Sequence, residues 1–117
     1  MIIEATPEFA KDVKSLKKRF ITISDDLVDL EKILKIKPKP SPPFSFHISG
    51  LGVTSIVVKV KKIACRALKG KGVNSGLRLV YALIDDEKRI LLIEMYHKGD
   101  KELEDRERIE RLLSRIE

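Results

Sequence analysis

Seven cations stand in the stretch from Ser41 to Ile84, namely Lys59, Lys61, Lys62, Arg66, Lys69, Lys71 and Arg78, and no acidic residue stands among them. The flanks nearly cancel. Residues 1–40 carry nine basic and seven acidic side chains, and residues 85–117 carry eight and eleven. The flanks come to +2 and −3, and the middle third alone carries +7. A surface of one sign raises the local concentration of a partner of the other sign. The commonest anionic macromolecular partner is nucleic acid, whose backbone dominates its affinity for basic proteins. The alternative is a solvated basic face with no ligand.

The spacing sharpens this reading. Lys59 and Lys61 lie two residues apart in Ser55–Lys62, where Ile56, Val58 and Val60 alternate with Val57, Lys59 and Lys61. Alternate positions of a strand share a face, so the two ammonium groups project together. Arg78 is the only charge in the apolar run Leu77–Ile84 and joins them if the two strands are neighbours. A guanidinium can hold two phosphate oxygens at once. The same residues also have structural readings. Exposed lysines guard sheet edges, and an arginine can serve an ion pair, although no acid lies in its own strand or the preceding one.

Length and composition bound the rest. The 117 residues fit one domain, and 43% hydrophobic with 36% charged residues indicate a globular chain. No apolar run approaches the roughly 20 residues that span a bilayer, and Met1–Glu4 lacks the pattern of a signal peptide. The single cysteine, Cys65, cannot form an internal disulfide and reads as a buried small apolar residue, so a reducing cytoplasm is expected. No Cys/His cluster suggests zinc, and no cofactor is expected. The absence of Gln, a single Asn at position 74 and the abundance of Lys, Glu and Ile resemble a thermophile composition. Aromatics at 5%, with no Trp, argue against an extended base-stacking surface.

These residues need a frame. Thr6-Pro7 predicts a helix start, and Phe9, Val13, Leu16 and Phe20 mark one apolar face. Ser24 opens a second helix with Leu27, Leu30, Ile33 and Leu34 as its buried stripe, ending at Pro38. The proline-rich run 38–43 is a stiff connector. Strands follow at Phe44–Ile48, Ser55–Lys62, Leu77–Ile84 and Arg89–Tyr96, the third apolar on both faces and so central. Leu91, Ile93 and Met95 are expected on one face of the fourth. The Lys- and Gly-rich loop 65–74 is expected to be mobile. Asp100 is expected to cap a last helix with Glu104–Arg108 and Glu107–Arg111 pairs on its surface. With a further strand possible at Met1–Ala5, the fold class is α+β: an N-terminal helical hairpin on an antiparallel sheet of about four strands, a C-terminal helix, and all helices on one sheet face.

This order resembles the RelE/ParE superfamily of toxins from toxin–antitoxin pairs, in its RelE-like or HigB-like branch. Val58-Lys59-Val60-Lys61 resembles the family's lysine-bearing strand. Ser75 to Tyr81, with Arg78 before a Val-Tyr pair, resembles its arginine strand, and Ile84–Lys88 and Glu94–Asp100 resemble the following turn and strand end. The resemblance implies an endoribonuclease that cuts mRNA on the ribosome without metal, the 2′-hydroxyl attacking the adjacent phosphate. It implies roles as well. Arg78 stabilises the charged phosphorane. Lys59 or Lys61 acts as base where burial or neighbouring cations lower its pKa. His97 or Lys98 is the candidate acid. Lys62, Arg66, Lys69 and Lys71 hold RNA backbone. It further implies a cognate antitoxin protein as partner, acidic and folding on the basic surface, with no membrane and no small-molecule cofactor. Three departures stand out: Lys98 falls where some members place an arginine, segment 101–108 has no tyrosine where some members carry one, and loop 67–74 is long. The alternatives are a non-catalytic ParE-like inhibitor and an RNA-binding module without chemistry.

Overall fold

Thr6 caps the first helix as its sequence predicts: its hydroxyl accepts the Phe9 amide at 3.2 Å, and Pro7 fills the first helical position. A computed structural model covers residues 1–117 and gives the order β1 (Ile2–Ala5), α1 (Pro7–Leu16), α2 (Ile23–Ile36), β2 (Ser45–His47), β3 (Ile56–Val60), β4 (Leu77–Ile84), β5 (Arg89–His97) and α3 (Arg106–Ser114). No helix is long and apolar enough to cross a membrane.

The strands form one sheet in the order β1-β5-β4-β3-β2, so β4 is central as expected. The β2–β3, β3–β4 and β4–β5 pairings are antiparallel, and β1 adds to β5 in parallel. The α+β class with two N-terminal helices on the sheet is therefore as read from the sequence.

One expectation about layers is corrected. The helices do not share a sheet face. Phe9, Leu16 and Phe20, together with Leu27, Leu30 and Leu34 of α2, pack on Val58, Val60, Leu79 and Tyr81. On the opposite face Ile109, Leu112 and Leu113 of α3 pack on Val57, Val80, Ala82 and Ile93. This explains why β4 is apolar on both sides: both sides are covered.

A register shift at Val80/Tyr81 corrects a second expectation. Val80 pairs with Glu94 and Tyr81 with Leu92, which leaves Ile93 as an extra residue in β5. A bulge breaks strict alternation, so Leu91 and Ile93 face α3 whereas Met95 lies in the other cluster. Near the bulge, beyond the end of β1, Asp12 and Arg108 complete the strand edge. Asp12 accepts the Met95 amide at 3.0 Å, Arg108 donates to the Ile93 carbonyl at 3.1 Å, and the two side chains pair at 2.7 Å.

The last helix begins later than expected. Asp105, not Asp100, caps it by accepting the Arg108 amide at 3.1 Å. Glu104 thus precedes the helix, and the expected surface pairs do not form: Arg108 and Arg111 reach Asp12 and Glu8 of α1 instead. Ile33, placed in the buried stripe of α2, is 43% exposed, and Asp26 is buried in its stead. Asp26 has a reason to be there. It accepts the Thr22 hydroxyl at 2.8 Å and the Arg66 amide at 3.3 Å, anchoring the start of the 65–74 loop. Cys65 is buried, as expected.

Candidate nucleic-acid interface

Val60 pairs with Leu79, so the next residues outward, Lys61 and Arg78, face each other across the β3–β4 boundary. The link is direct: Arg78 Nη1 donates to the Lys61 carbonyl at 3.2 Å and to its neighbour Leu77 O at 3.2 Å. The β4–β5 pairing then brings in Lys98, whose amide donates to the Gly76 carbonyl at 2.9 Å. Lys61, Lys62, Arg78 and Lys98, with Pro43, Phe46, Asn74 and Gly76, line an open groove of about 340 Å³ at this end of the sheet. No carboxylate lines it. Arg78 forms no ion pair anywhere in the chain. Its fork is held by two carbonyls and otherwise faces the groove.

The fold separates the remaining candidates. Lys59 shares the Arg78 face, but its ammonium is 2.7 Å from Glu104 Oε1, with the two side chains only 13% and 3% exposed. Burial pushes the Glu104 carboxyl up, yet the Lys59 hydrogen bond and the nearby Arg106 outweigh it and hold the carboxyl below its ordinary value. Lys59 is thus committed to a buried pair. Arg66 is likewise committed, pairing with Asp29 and lying 3.7 Å from Asp26. The stretch that carries no acid in sequence meets acids in space. Lys62 lies on the groove and donates to Asn74 Oδ1 at 3.0 Å. Lys69 and Lys71 are exposed on the loop, away from the groove lining.

His97 does not join the cluster. Its ring stacks on Phe20, centroids 5.4 Å apart, on the α1–α2 side of the sheet. Its Nδ1 accepts the Gly99 amide at 3.0 Å, which leaves the proton on Nε2, 3.0 Å from the Ser75 carbonyl. Both nitrogens are therefore used structurally. Gly76 makes room for this ring: a Cβ there, at φ +87°, would lie 2.6 Å from His97 Nε2.

Three further residues gain their surroundings only from the fold. Glu94 is buried on the α3 side and accepts the Asp105 amide at 2.8 Å and the Lys101 ammonium. Tyr96 lies opposite Arg78 in the β4–β5 register, and its buried hydroxyl has no hydrogen-bond partner. Burial pushes that phenol up to about 12, with Glu104 and Glu94 adding to the effect and Arg78 opposing it. Phe46, on edge strand β2, lines the groove under the Lys61 ammonium, 4.9 Å from its ring centroid. Alternation with Ser45 and His47 placed Phe46 on a strand, but only the β2–β3 register puts it beside Lys59 and Lys61.

The arrangement can bind a phosphate backbone and stabilise added charge on phosphorus. No family model matches the chain, and no curated protein matches it. Among solved structures the chain is similar to the archaeal RelE–RelB complex from Pyrococcus horikoshii OT3, at 17% identity over 86% of this chain and 97% of that one, with a TM-score of 0.54. The fold is therefore RelE-like.

Proposed function

We propose that this chain is the toxin of a toxin–antitoxin pair and cleaves mRNA in the ribosome. The observation that carries the reading is Arg78, a guanidinium free of carboxylates on a groove whose other charges are Lys61, Lys62 and Lys98. The RelE-like fold, similar to a protein solved in complex with RelB, supports it. In the reaction the 2′-oxygen attacks phosphorus and gives up its proton. The bond from phosphorus to the 5′-oxygen breaks, and that oxygen takes up a proton. The products are a 2′,3′-cyclic phosphate and a 5′-hydroxyl. Arg78 grips the charged phosphorane, where preorganised donors contribute most. Of the sequence candidates, Lys61 and Lys98 are the groove-lining amines left for proton transfer, since Lys59 and His97 are engaged elsewhere.

That same shortage of proton-transfer groups favours a second reading, a ParE-like inhibitor that binds without cutting. Induced expression of the chain alone, with growth and mRNA integrity followed together, separates the two. Growth arrest with mRNA cut inside translated frames supports the nuclease. Arrest with intact mRNA supports the inhibitor. Normal growth with intact mRNA overturns both. The partner follows from the same reading: an acidic antitoxin segment that orders on the basic surface. Co-purification with the product of an adjacent small gene tests it, and a chain that stays alone and harmless in its host contradicts it.

A further inference from the structure

Phe46 stands apart from every other aromatic residue of the chain. Phe9, Phe20 and Tyr81 belong to one core cluster, Phe44 packs against it, and Tyr96 belongs to the other. Phe46 belongs to neither, is half-buried, and is the only aromatic lining the cationic groove. It also lines a second groove together with His47, Ser49, Lys59, Lys61 and Glu104, so Phe46 and Lys61 border both. An aromatic ring without a core role, beside cations that suit phosphate, has the layout of a stacking platform.

We infer that Phe46 is the base-stacking platform of a one-nucleotide subsite for single-stranded RNA, with Arg78, Lys61 and Lys98 taking the adjoining phosphate. The inference deepens the proposed function, since RNA as ligand rests on that reading. The Lys61 ammonium over the ring marks the exchange. A cation over a partly solvated ring is held more weakly than a stacked base. An arriving nucleotide offers Lys61 a phosphate and the ring a base, so both contacts improve together. Pro43 also lines the groove. Because stacking accepts any base, the subsite confers a preference for unpaired RNA and little base preference.

The test measures binding, so it is independent of cleavage. The chain has no Trp, so Phe46→Trp introduces the sole indole at the groove. We expect its emission to be quenched by a single-stranded oligouridine and unaffected by an abasic ribose-phosphate oligomer of the same length. Phe46→Ala should weaken oligouridine binding about 5- to 150-fold, the cost of one lost stack. It should leave abasic-oligomer binding unchanged. Phe46→Leu, which keeps apolar bulk without a π-face, should behave like Phe46→Ala. Arg78→Ala should weaken both ligands alike. Equal quenching by both ligands, or loss of both in Phe46→Ala with the fold intact by circular dichroism, overturns the subsite. Unchanged oligouridine binding in Phe46→Ala and Phe46→Leu overturns it as well. If base-dependent quenching occurs in a chain that cuts no mRNA, the subsite stands and the nuclease reading falls. If the chain cuts mRNA and Phe46 proves silent, the reverse holds.

Discussion

Lys59 and Glu104 form a buried ion pair, Nζ to Oε1 2.7 Å, that joins β3 to the segment before α3. Two strand lysines that look equivalent in sequence are therefore not equivalent. One holds the α3 side together and the other faces the groove.

This difference predicts opposite phenotypes. Removing one partner of a buried pair strands the other charge. Lys59→Ala should destabilise the fold by about 3 kcal/mol, toward the low end of such losses because Arg106 remains near Glu104. Lys61→Ala should cost little stability and instead weaken RNA binding. Urea melts of the two variants check this, and equal stability losses would refute the division of labour.

Acid should loosen the C-terminal segment. Glu117 is held below the ordinary carboxylate range, first by the Thr54 amide and then by Ser55. Glu8 is lowered chiefly by its hydrogen bond from Arg111. Glu104 is lowered by Lys59 against the opposing effect of burial. A carboxyl with a depressed folded-state pKa contributes stability that is fully present above its unfolded value and is lost as pH falls through the folded one. Stability should therefore hold from about pH 7 down to about pH 5 and fall below the unfolded Glu value of about 4.3. Denaturant midpoints across this range measure it. Glu117→Gln should lower stability at neutral pH and flatten part of the acid slope. An unchanged slope contradicts the assignment.

Gly76 should resist substitution. Its φ of +87° disfavours a side chain, and an added Cβ would strike His97 Nε2 at 2.6 Å. Gly76→Ala should cost about 2 kcal/mol through backbone strain and the displaced ring. Gly76→Ala combined with His97→Ala should relieve the clash and retain the backbone cost. Thermal melts of the single and double variants give the coupling, and strict additivity of the two losses would show that the ring does not matter.

Much of the frame was legible from residue patterns because those patterns are local. Thr6-Pro7 capped α1, and the two-sided apolar run of Leu77–Ile84 identified the central strand. The misses are non-local. Nothing in the sequence marks Ile93 as the extra residue of a bulge, and strict alternation therefore puts Met95 on the face of Leu91 and Ile93, which the bulge prevents. The pairing of Arg108 with Asp12 depends on α1 and α3 meeting at the edge of β5, and spacing within α3 suggested helix-surface pairs instead. The site divides in the same way. Arg78 stood out as a lone charge in an apolar strand, and the fold leaves it unpaired. Lys59 and His97 looked available because their partners, Glu104 and the Phe20 ring, lie far away in sequence. Phe46 carried no signal except its alternation with polar neighbours.

The most direct test of the central claim is the single-turnover rate of mRNA cleavage on programmed ribosomes, comparing the parent with Arg78→Ala and with Lys71→Ala, an exposed loop cation outside the groove. Loss of one preorganised transition-state donor should slow Arg78→Ala about 10²–10³-fold. Lys71→Ala should cleave at close to the parent rate and show only a mild, salt-dependent loss of RNA affinity. Cleavage by Arg78→Ala at the parent rate would contradict the account.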